Sequence, residues 1–119
     1  MNKFHILKFL KINVLFSIVL LCISCSEESD VHTADTIMFE GKLYKKNESS
    51  SFTGFVYNLY SNGQIEYKGK YKDGRPNGSL IYWYKNGNKM REGELKNGIP
   101  IGRWEYYNSD GSHKKTLDH

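Results

Sequence analysis

From residue 38 onward, the chain consists of short runs of aromatic and β-branched residues separated by Asn-Gly or Asp-Gly pairs. Runs of this kind, with glycine-containing turn pairs between them, are typical of β-strands joined by hairpins. Apolar residues do not recur here with a period of 3.6 over a length that would form a helix. The pattern therefore predicts an all-β domain over residues 38–117, an elongated antiparallel β-meander of repeated hairpins.

The glycines of this region recur with a period of 24 residues. Of the eleven glycines, only Gly41 lies outside the periodic frame. One group is predicted to open a strand, a second to close the first turn, a third to lie within a strand, and a fourth to lie in the second turn. In that order, the groups are Gly54, Gly78 and Gly102; Gly63, Gly87 and Gly111; Gly69 and Gly93; Gly74 and Gly98.

The turn chemistry differs between the two connections of each repeat. In the first connection, the Asn-Gly and Asp-Gly pairs supply the positive φ angles that tight hairpins need. The second connection is predicted to be longer, because Pro76 and Pro100 would each remove a backbone donor where a strand should not continue. Gly69 and Gly93 lie inside predicted strands, which indicates a bend or the close approach of a neighbouring backbone or ring.

Alternation along the strands places successive side chains on opposite faces of the sheet. Neither face of the strands that open each repeat is cleanly polar. The sheet is therefore either partly covered on both sides or exposes non-polar side chains on an outer face that could bind a partner. Lys68, Lys70 and Lys72 share the polar face of the first returning strand. Four aromatic residues form the candidate binding face, although they could equally be the core of a small sheet. These residues are Tyr57, Trp83, Trp104 and Tyr107.

The first 24 residues have a different pattern. Three lysines within residues 2–11 precede an apolar run at 12–23 that is broken only by Asn13 and Ser17. This is the layout of a secretory signal peptide. A retained membrane helix would need about 20 apolar residues, so the run is too short for that alternative.

The end of this segment resembles a bacterial lipobox, in which a small residue precedes a cysteine that is lipidated and becomes the new N-terminus. Ser24 and Cys25 match that pattern, whereas Cys22 stands where the family usually has Leu or Val. The resemblance implies a lipoprotein signal peptide over 1–24 and a membrane anchor at Cys25. A disulfide or metal half-site between the two cysteines is the alternative, but no cysteine follows that could complete it. We therefore expect no bound metal.

Residues 25–37 are polar and acidic, which predicts a solvated, flexible tether. Ser26, Glu27, Glu28 and Asp30 resemble the short acidic export signal of surface-exposed lipoproteins of Bacteroidota. That resemblance implies a protein anchored to the outer membrane and displayed on the cell surface. A simple acidic linker would have the same composition, so periplasmic display is the open alternative.

Charge argues against nucleic acid as a partner. The formal net charge of +4 includes Lys3, Lys8 and Lys11, and without them 14 basic residues face 13 acidic ones. Such a balance lacks the single-sign field that nucleic-acid phosphates require. Glu92 and Glu94 share one strand face, but their basic neighbours make an ordinary charged surface the simpler interpretation. No set of Ser, His, Asp or Cys suits nucleophilic catalysis, so we expect neither an enzyme nor a cofactor.

The residues from Tyr67 to Gly78, in the pattern Tyr-x-Gly-x-Tyr-x-Asp-Gly-x-x-Asn-Gly, are similar to the MORN repeat. The pairs before each first turn are closer to its bacterial variant, which is found in proteins named as YwqK-type antitoxins of toxin-antitoxin systems. These pairs are Leu59-Tyr60, Trp83-Tyr84 and Tyr106-Tyr107. The resemblance covers residues 40–115 and implies a repeat domain with an antitoxin or immunity-like role.

Two functions are compatible with these features. In the first, the aromatic face or an unpaired sheet edge binds another protein. In the second, the face with Lys68, Lys70 and Lys72 lies on anionic lipid or glycan and is held there by the lipid at Cys25.

Overall fold

Nine β-strands and one 3₁₀ turn make up residues 28–119, which are the part of the chain that the computed structural model describes. The predictions for Cys25, Ser26 and Glu27 lie outside these residues. The strands are β1 (Asp30–His32), β2 (Thr36–Phe39), β3 (Lys42–Lys45), β4 (Gly54–Leu59), β5 (Ile65–Lys72), β6 (Arg75–Trp83), β7 (Lys89–Lys96), β8 (Ile99–Tyr107) and β9 (His113–Asp118), with the 3₁₀ turn at Thr33–Asp35.

Seven strands form one sheet in the order β1-β4-β5-β6-β7-β8-β9, and β2 pairs with β3 in a separate two-stranded sheet. The all-β prediction is confirmed. From β4 to β9 each strand pairs antiparallel with the next, but β1 runs parallel to β4. The large sheet is therefore mixed, and the prediction of a purely antiparallel arrangement is wrong at this edge.

The prediction of a free tether over residues 25–37 is wrong for its described C-terminal part. Asp30–His32 forms β1, and the side chain of Val31 is only 4% exposed. The single apolar residue of β1 packs against Val56, Leu43 and Phe52 in the core of the protein. Burial of a Val side chain contributes about 1.5–3 kcal/mol, which explains how so polar a segment docks on the sheet edge.

The second connection of each repeat is shorter than the sequence predicts. Asp73 and Gly74 have φ of 50° and 80°, and Asn97 and Gly98 have 50° and 82°. Positive φ at both central residues is the signature of a two-residue hairpin turn whose twist matches that of the strands. The Asp and Asn residues, not the prolines, are therefore the turn signals here.

The glycines and prolines beyond these turns lie inside strands rather than before them. Pro76 and Gly78 are the second and fourth residues of β6, and Pro100 and Gly102 hold the same places in β8. The prediction that Gly78 and Gly102 open strands is therefore wrong, whereas Gly54 does begin β4. Both prolines are paired, Pro76 with Tyr71 and Pro100 with Leu95, and a register shift follows each of them, at residues 77–79 in β6 and at 102–104 in β8.

The first connection is a longer loop, and it repeats with the same geometry three times. Between β4 and β5, the Tyr60 N–H donates to the Gln64 carbonyl at 2.8 Å, and the Gly63 N–H donates to the Tyr60 carbonyl at 2.9 Å. Only Gly63 of this loop has a positive φ, at 82°. The predicted positive φ of the loop glycines is confirmed, because Gly87 and Gly111 take φ of 90° and 87° at the equivalent positions. The prediction of tight hairpins at these pairs is wrong, because Asn62, Asn86 and Asp110 are not among the residues with positive φ.

Candidate functional site

The register gives the large sheet two faces with different chemistry, because directly paired residues point to the same side. We call the side with Val56, Gly69, Leu80, Gly93 and Trp104 the core face. The opposite side, the outer face, carries one continuous cross-strand row. That row is Tyr57, Lys68, Ile81, Glu92, Glu105 and Thr116.

The four aromatics of the candidate binding face do not share one side of the sheet. Tyr57, Trp83 and Tyr107 lie on the outer face and are partly exposed. Trp104 lies on the core face and is 4% exposed, so it is not available to a partner. A one-residue difference in position along a strand reverses the side to which a side chain points, and the sequence offered no clean polar face that would have separated the two sets.

The buried Trp104 explains the glycine inside β7. A Cβ at Gly93 would overlap the indole ring of Trp104, and a Cβ at Gly69 would lie 2.9 Å from Cδ1 of Leu80. Leu80 and Trp104 are 24 residues apart, and each side chain lies over a glycine of the preceding strand, Gly69 or Gly93. The prediction that the two mid-strand glycines admit a neighbouring group is confirmed, and the group is a side chain in both repeats.

The outer face contains a shallow cavity of about 360 Å³ where β6, β7 and β8 lie side by side. Ile81 forms part of its wall, and its charged lining includes Glu92, Glu94, Glu105 and Arg103. Three carboxylates beside one guanidinium make the cavity acidic. Among the described residues, no other segment covers this part of the sheet.

Hydrogen bonds fix the side chains around the cavity. The Tyr107 hydroxyl donates to Glu92 Oε1 at 3.0 Å, and Lys89 Nζ donates to Glu92 Oε2 at 2.7 Å. The hydrogen bond to Glu92 raises the pKa of Tyr107 above its usual value, and the same carboxylate raises the pKa of Lys89. Glu92 therefore accepts hydrogen bonds from two donors, one at each carboxylate oxygen.

A second carboxylate at the cavity is also fixed. Glu105 Oε2 accepts from the Thr116 hydroxyl at 2.6 Å and lies 2.8 Å from His113 Nε2. These hydrogen bonds, with that of Thr116 the larger effect, lower the pKa of Glu105. The ring of His113 also packs edge-on against Tyr107, with centroids 5.9 Å apart. Sequence inspection missed Glu105 and Ile81, although their two-residue spacing from Tyr107 and Trp83 was the available signal.

Two of the three lysines assigned to an anionic surface are already paired. Lys68 Nζ lies 2.7 Å from Asp30, and Lys70 Nζ lies 2.7 Å from Glu28. Both ammonium groups also lie near the ring of Phe55, at 4.6 and 5.6 Å from its centroid. Glu28 and Asp30, which belong to the predicted export signal, thus neutralise this face at the N-terminal edge.

Tyrosine hydroxyls join successive repeats along the sheet. The Tyr60 hydroxyl donates to the Trp83 carbonyl at 2.7 Å, and the Tyr84 hydroxyl donates to the Tyr107 carbonyl at 2.9 Å. Each donor and acceptor are 23 residues apart. The Asn86 amide donates to the Ser109 carbonyl at 2.7 Å in the same way. The outer-face aromatics Trp83 and Tyr107 therefore have their backbones held by the preceding repeat.

The β2–β3 hairpin exposes apolar side chains away from the large sheet. Ile37 is 52% exposed, and Met38 and Phe39 are each 60% exposed. A cavity of about 400 Å³ lies beside the hairpin, with Ile37, Phe39 and Tyr44 in its wall. This hairpin lies outside the glycine frame, and its exposed apolar surface was not predicted from the sequence.

Residues 28–119 contain neither a metal-binding cluster nor a membrane-spanning helix. In that range, no three His, Cys, Asp or Glu side chains are close enough together to hold a metal ion. The same range contains no helix with the length and apolar character needed to cross a bilayer.

Comparison of the chain with protein-family models, with curated proteins and with solved structures gives no match in any of the three. The resemblance to the MORN variant and to YwqK-type antitoxins therefore rests on the sequence pattern alone and stays a prediction. The geometry of the outer face carries the functional argument.

Proposed function

We propose that this protein is a non-enzymatic lipoprotein of the cell envelope whose outer face binds another protein. The observation that carries this proposal is the acidic cavity at Ile81, which is flanked by the partly exposed rings of Trp83 and Tyr107. Aromatic side chains of this kind are the usual anchors of protein interfaces. An acidic cavity beside them favours a partner that presents a Lys or Arg side chain.

Preorganisation supports the same proposal. Glu92 and Glu105 are each held by two neighbouring groups, so little side-chain freedom is lost when a cation docks between them. The tyrosine bonds between repeats fix the backbone at Trp83 and Tyr107. A rigid scaffold that presents partly exposed aromatic side chains beside an acidic cavity has the properties of a recognition surface. An antitoxin or immunity-like role in the envelope is one form that such recognition would take.

Photo-crosslinking in the native host tests the outer face directly. A photoreactive phenylalanine analogue replaces Trp83 in one strain and Phe39 in the control strain, since the partly exposed Trp83 and the exposed Phe39 lie on different sheets. The expected result is one dominant protein adduct from position 83 that is absent from position 39. Identical adducts from both positions, or none from position 83, would contradict the proposal.

Alanine substitution then assigns the contribution of each side chain. Trp83→Ala is expected to weaken recovery of the crosslinked partner at least tenfold, since aromatic anchors contribute about 2 kcal/mol or more. Phe39→Ala is the matched control and is expected to leave recovery unchanged. Glu105→Lys should also abolish recovery if the partner presents a cation to the cavity.

Anchoring at Cys25 is tested separately from binding. Metabolic labelling with an alkyne fatty acid is expected to mark the wild-type chain and to fail on the Cys25→Ser variant, whereas Cys22→Ser should still be labelled. Labelling of both variants, or of neither chain, would overturn lipidation at this site. Protease treatment of intact cells then distinguishes surface display from periplasmic display.

A second candidate function is contact with an anionic membrane or glycan surface. The ion pairs of Lys68 and Lys70 reduce the charge of the face first considered for it. The observation that favours this candidate is a separate group of cations at one edge of the sheet, which includes Lys72 and Arg75.

A further inference from the structure

The two-residue turns at Asp73-Gly74 and Asn97-Gly98 lie on the same side of the large sheet, at the ends of its strands. We call this side the turn edge. A cavity of about 600 Å³ opens at this edge. Its wall contains four cations, one carboxylate and two amides. These are Lys42, Lys72, Arg75 and Lys96; Asp73; Asn77 and Asn97.

Backbone hydrogen bonds hold the wall of this turn-edge pocket in place. The Leu43 N–H donates to the Gly74 carbonyl at 2.8 Å, and the Gly98 N–H donates to the Pro76 carbonyl at 2.8 Å. The first bond places Lys42 of β3 beside the β5–β6 turn, and the second places the β7–β8 turn beside β6. The cations on either side of these bonds therefore stay close together without any bound ligand.

The four cations of the turn-edge pocket make no ion pair with any residue in 28–119. Other cations of that range do, including Lys68, Lys70 and Lys89. Like charges held near one another repel, and the repulsion is relieved when an anion binds between them. The pocket thus combines a fixed shape with an unbalanced positive charge, which are the two requirements for an anion site.

We propose that the turn-edge pocket binds a phosphate-bearing anion. Arg75 offers a planar set of donors that matches phosphate oxygens, and the three ammonium groups add charge around them. Asn77 and Asn97 supply neutral amide groups at the same wall. A phosphate dianion or a diphosphate suits this arrangement better than a single carboxylate, because more of the cations are neutralised.

The chain enters the sheet at this same edge. The Phe55 N–H donates to the Ser29 carbonyl at 2.9 Å, and Gly54, the first residue of β4, pairs with Tyr71. Cys25 is three residues before Glu28 in the sequence, and three residues of chain reach about 11 Å at most. A lipid anchor at Cys25 would therefore hold the turn edge against the membrane surface, where headgroup phosphates are the available anions.

Exposed apolar residues border the pocket and favour the same source. Phe39 pairs directly with Lys42 across the β2–β3 hairpin, and both Phe39 and Met38 are 60% exposed. Apolar side chains next to a cationic site are suited to the boundary between headgroups and acyl chains. The lipid source rests on the proposed anchoring at Cys25, whereas anion binding by the pocket does not.

The pocket is tested with the full chain purified in a neutral detergent and titrated with inorganic pyrophosphate by calorimetry. The Lys72→Glu/Arg75→Glu variant is expected to bind about tenfold or more weakly, because two charge-assisted contacts are lost. Lys85→Glu/Lys114→Glu changes the net charge equally at the opposite edge and should bind within about twofold of wild type. Equal weakening by both variants, or no binding by the wild type, would overturn the proposal.

Vesicles distinguish the two sources of phosphate. Flotation of the full chain with vesicles of phosphatidylcholine and 30% phosphatidylglycerol is compared with flotation on pure phosphatidylcholine. A lipid-headgroup site predicts that the recovered fraction rises at least threefold on the anionic vesicles and that pyrophosphate or Lys72→Glu/Arg75→Glu removes the difference. Pyrophosphate binding without any vesicle preference would support the pocket and overturn the lipid source. Circular dichroism melts of both variants establish that they are folded.

Discussion

The indole ring of Trp104 lies over Gly93 on the neighbouring strand, in the space that a Cβ would otherwise fill. Trp104 is 4% exposed, and Leu117 of β9 pairs with it on the core face. Gly93 has no positive φ, so its backbone conformation does not require glycine. The glycine is needed only because the ring of Trp104 crosses it.

Gly93→Ala is therefore expected to destabilise the protein by steric overlap. The expected loss in the free energy of unfolding is about 1–3 kcal/mol, the range for overpacking in a core. Trp104→Leu introduces the side chain that the preceding repeat places over Gly69, so Gly93→Ala should be less harmful in that background. Urea unfolding of the double-mutant cycle measures the difference. Additive losses would show that the ring is not the cause.

The hydroxyl of Tyr84 is expected to stabilise the junction between repeats. Tyr84→Phe removes the donor to the Tyr107 carbonyl, which should lower the free energy of unfolding by about 0.5–1.5 kcal/mol. Tyr106→Phe is the matched control, because the Tyr106 hydroxyl has no hydrogen bond to any residue of the described range. Equal losses in the two variants would refute the assigned role of the Tyr84 hydroxyl.

Two turn glycines with nearly the same backbone angle should respond differently to alanine. Gly74 and Gly98 have φ of 80° and 82°, so alanine is strained at both. A Cβ at Gly74 would also lie 2.8 Å from Lys42 Cβ and 2.9 Å from Leu43 N, whereas a Cβ at Gly98 meets nothing within 4 Å. Gly98→Ala should lower stability by about 1 kcal/mol, and Gly74→Ala by about 1–3 kcal/mol more. Thermal unfolding of both variants tests the order, and a greater loss for Gly98→Ala would contradict it.

Stability should fall at both ends of the pH range for separate reasons. Because folding lowers the pKa of Glu105, the carboxylate contributes to stability above pH 4.5, the usual pKa of the group. This contribution is lost as pH falls through the pKa in the folded state. The pKa of Tyr107 is raised, so its hydroxyl contributes to stability below pH 10.0, the usual pKa. This contribution is lost as pH rises through the pKa in the folded state.

Melting temperatures recorded against pH should fall in an acid limb and in an alkaline limb. Single substitutions test whether Glu105 causes the first and Tyr107 the second. Glu105→Gln is expected to flatten the acid limb and leave the alkaline limb intact. Tyr107→Phe is expected to flatten the alkaline limb only. A variant whose two limbs both match those of the wild type would show that the substituted group does not contribute.

Periodicity predicted more of the fold than of the surface. The all-β class, the loop glycines and the close approach at Gly69 and Gly93 all followed from local backbone chemistry repeated every 24 residues. The length of the second turn was misjudged because the prolines were given more weight than Asp73 and Asn97, whose positive φ closes those turns. Proline does not end either strand, since Pro76 and Pro100 are both paired and the register shifts come after them.

Contacts between distant parts of the chain were not visible in the sequence. Val31 is one apolar residue in an acidic segment, and its burial beside Val56 and the ion pairs of Glu28 and Asp30 all depend on residues distant in sequence. The turn-edge pocket was missed for the same reason, since Lys42 and Lys96 are far apart in sequence and the overall charge is nearly balanced. A net charge describes the whole chain and does not report where a fold gathers cations.

The tyrosine bonds between repeats also bear on how such a chain evolves. Tyr60 and Tyr84 each bond to a carbonyl 23 residues further on, so every junction is encoded within one repeat length. Duplication of 24 residues by unequal recombination would add a junction and leave the existing ones unchanged. The sheet can therefore lengthen or shorten in whole units, and its outer face can be extended without redesign of the parts already in place.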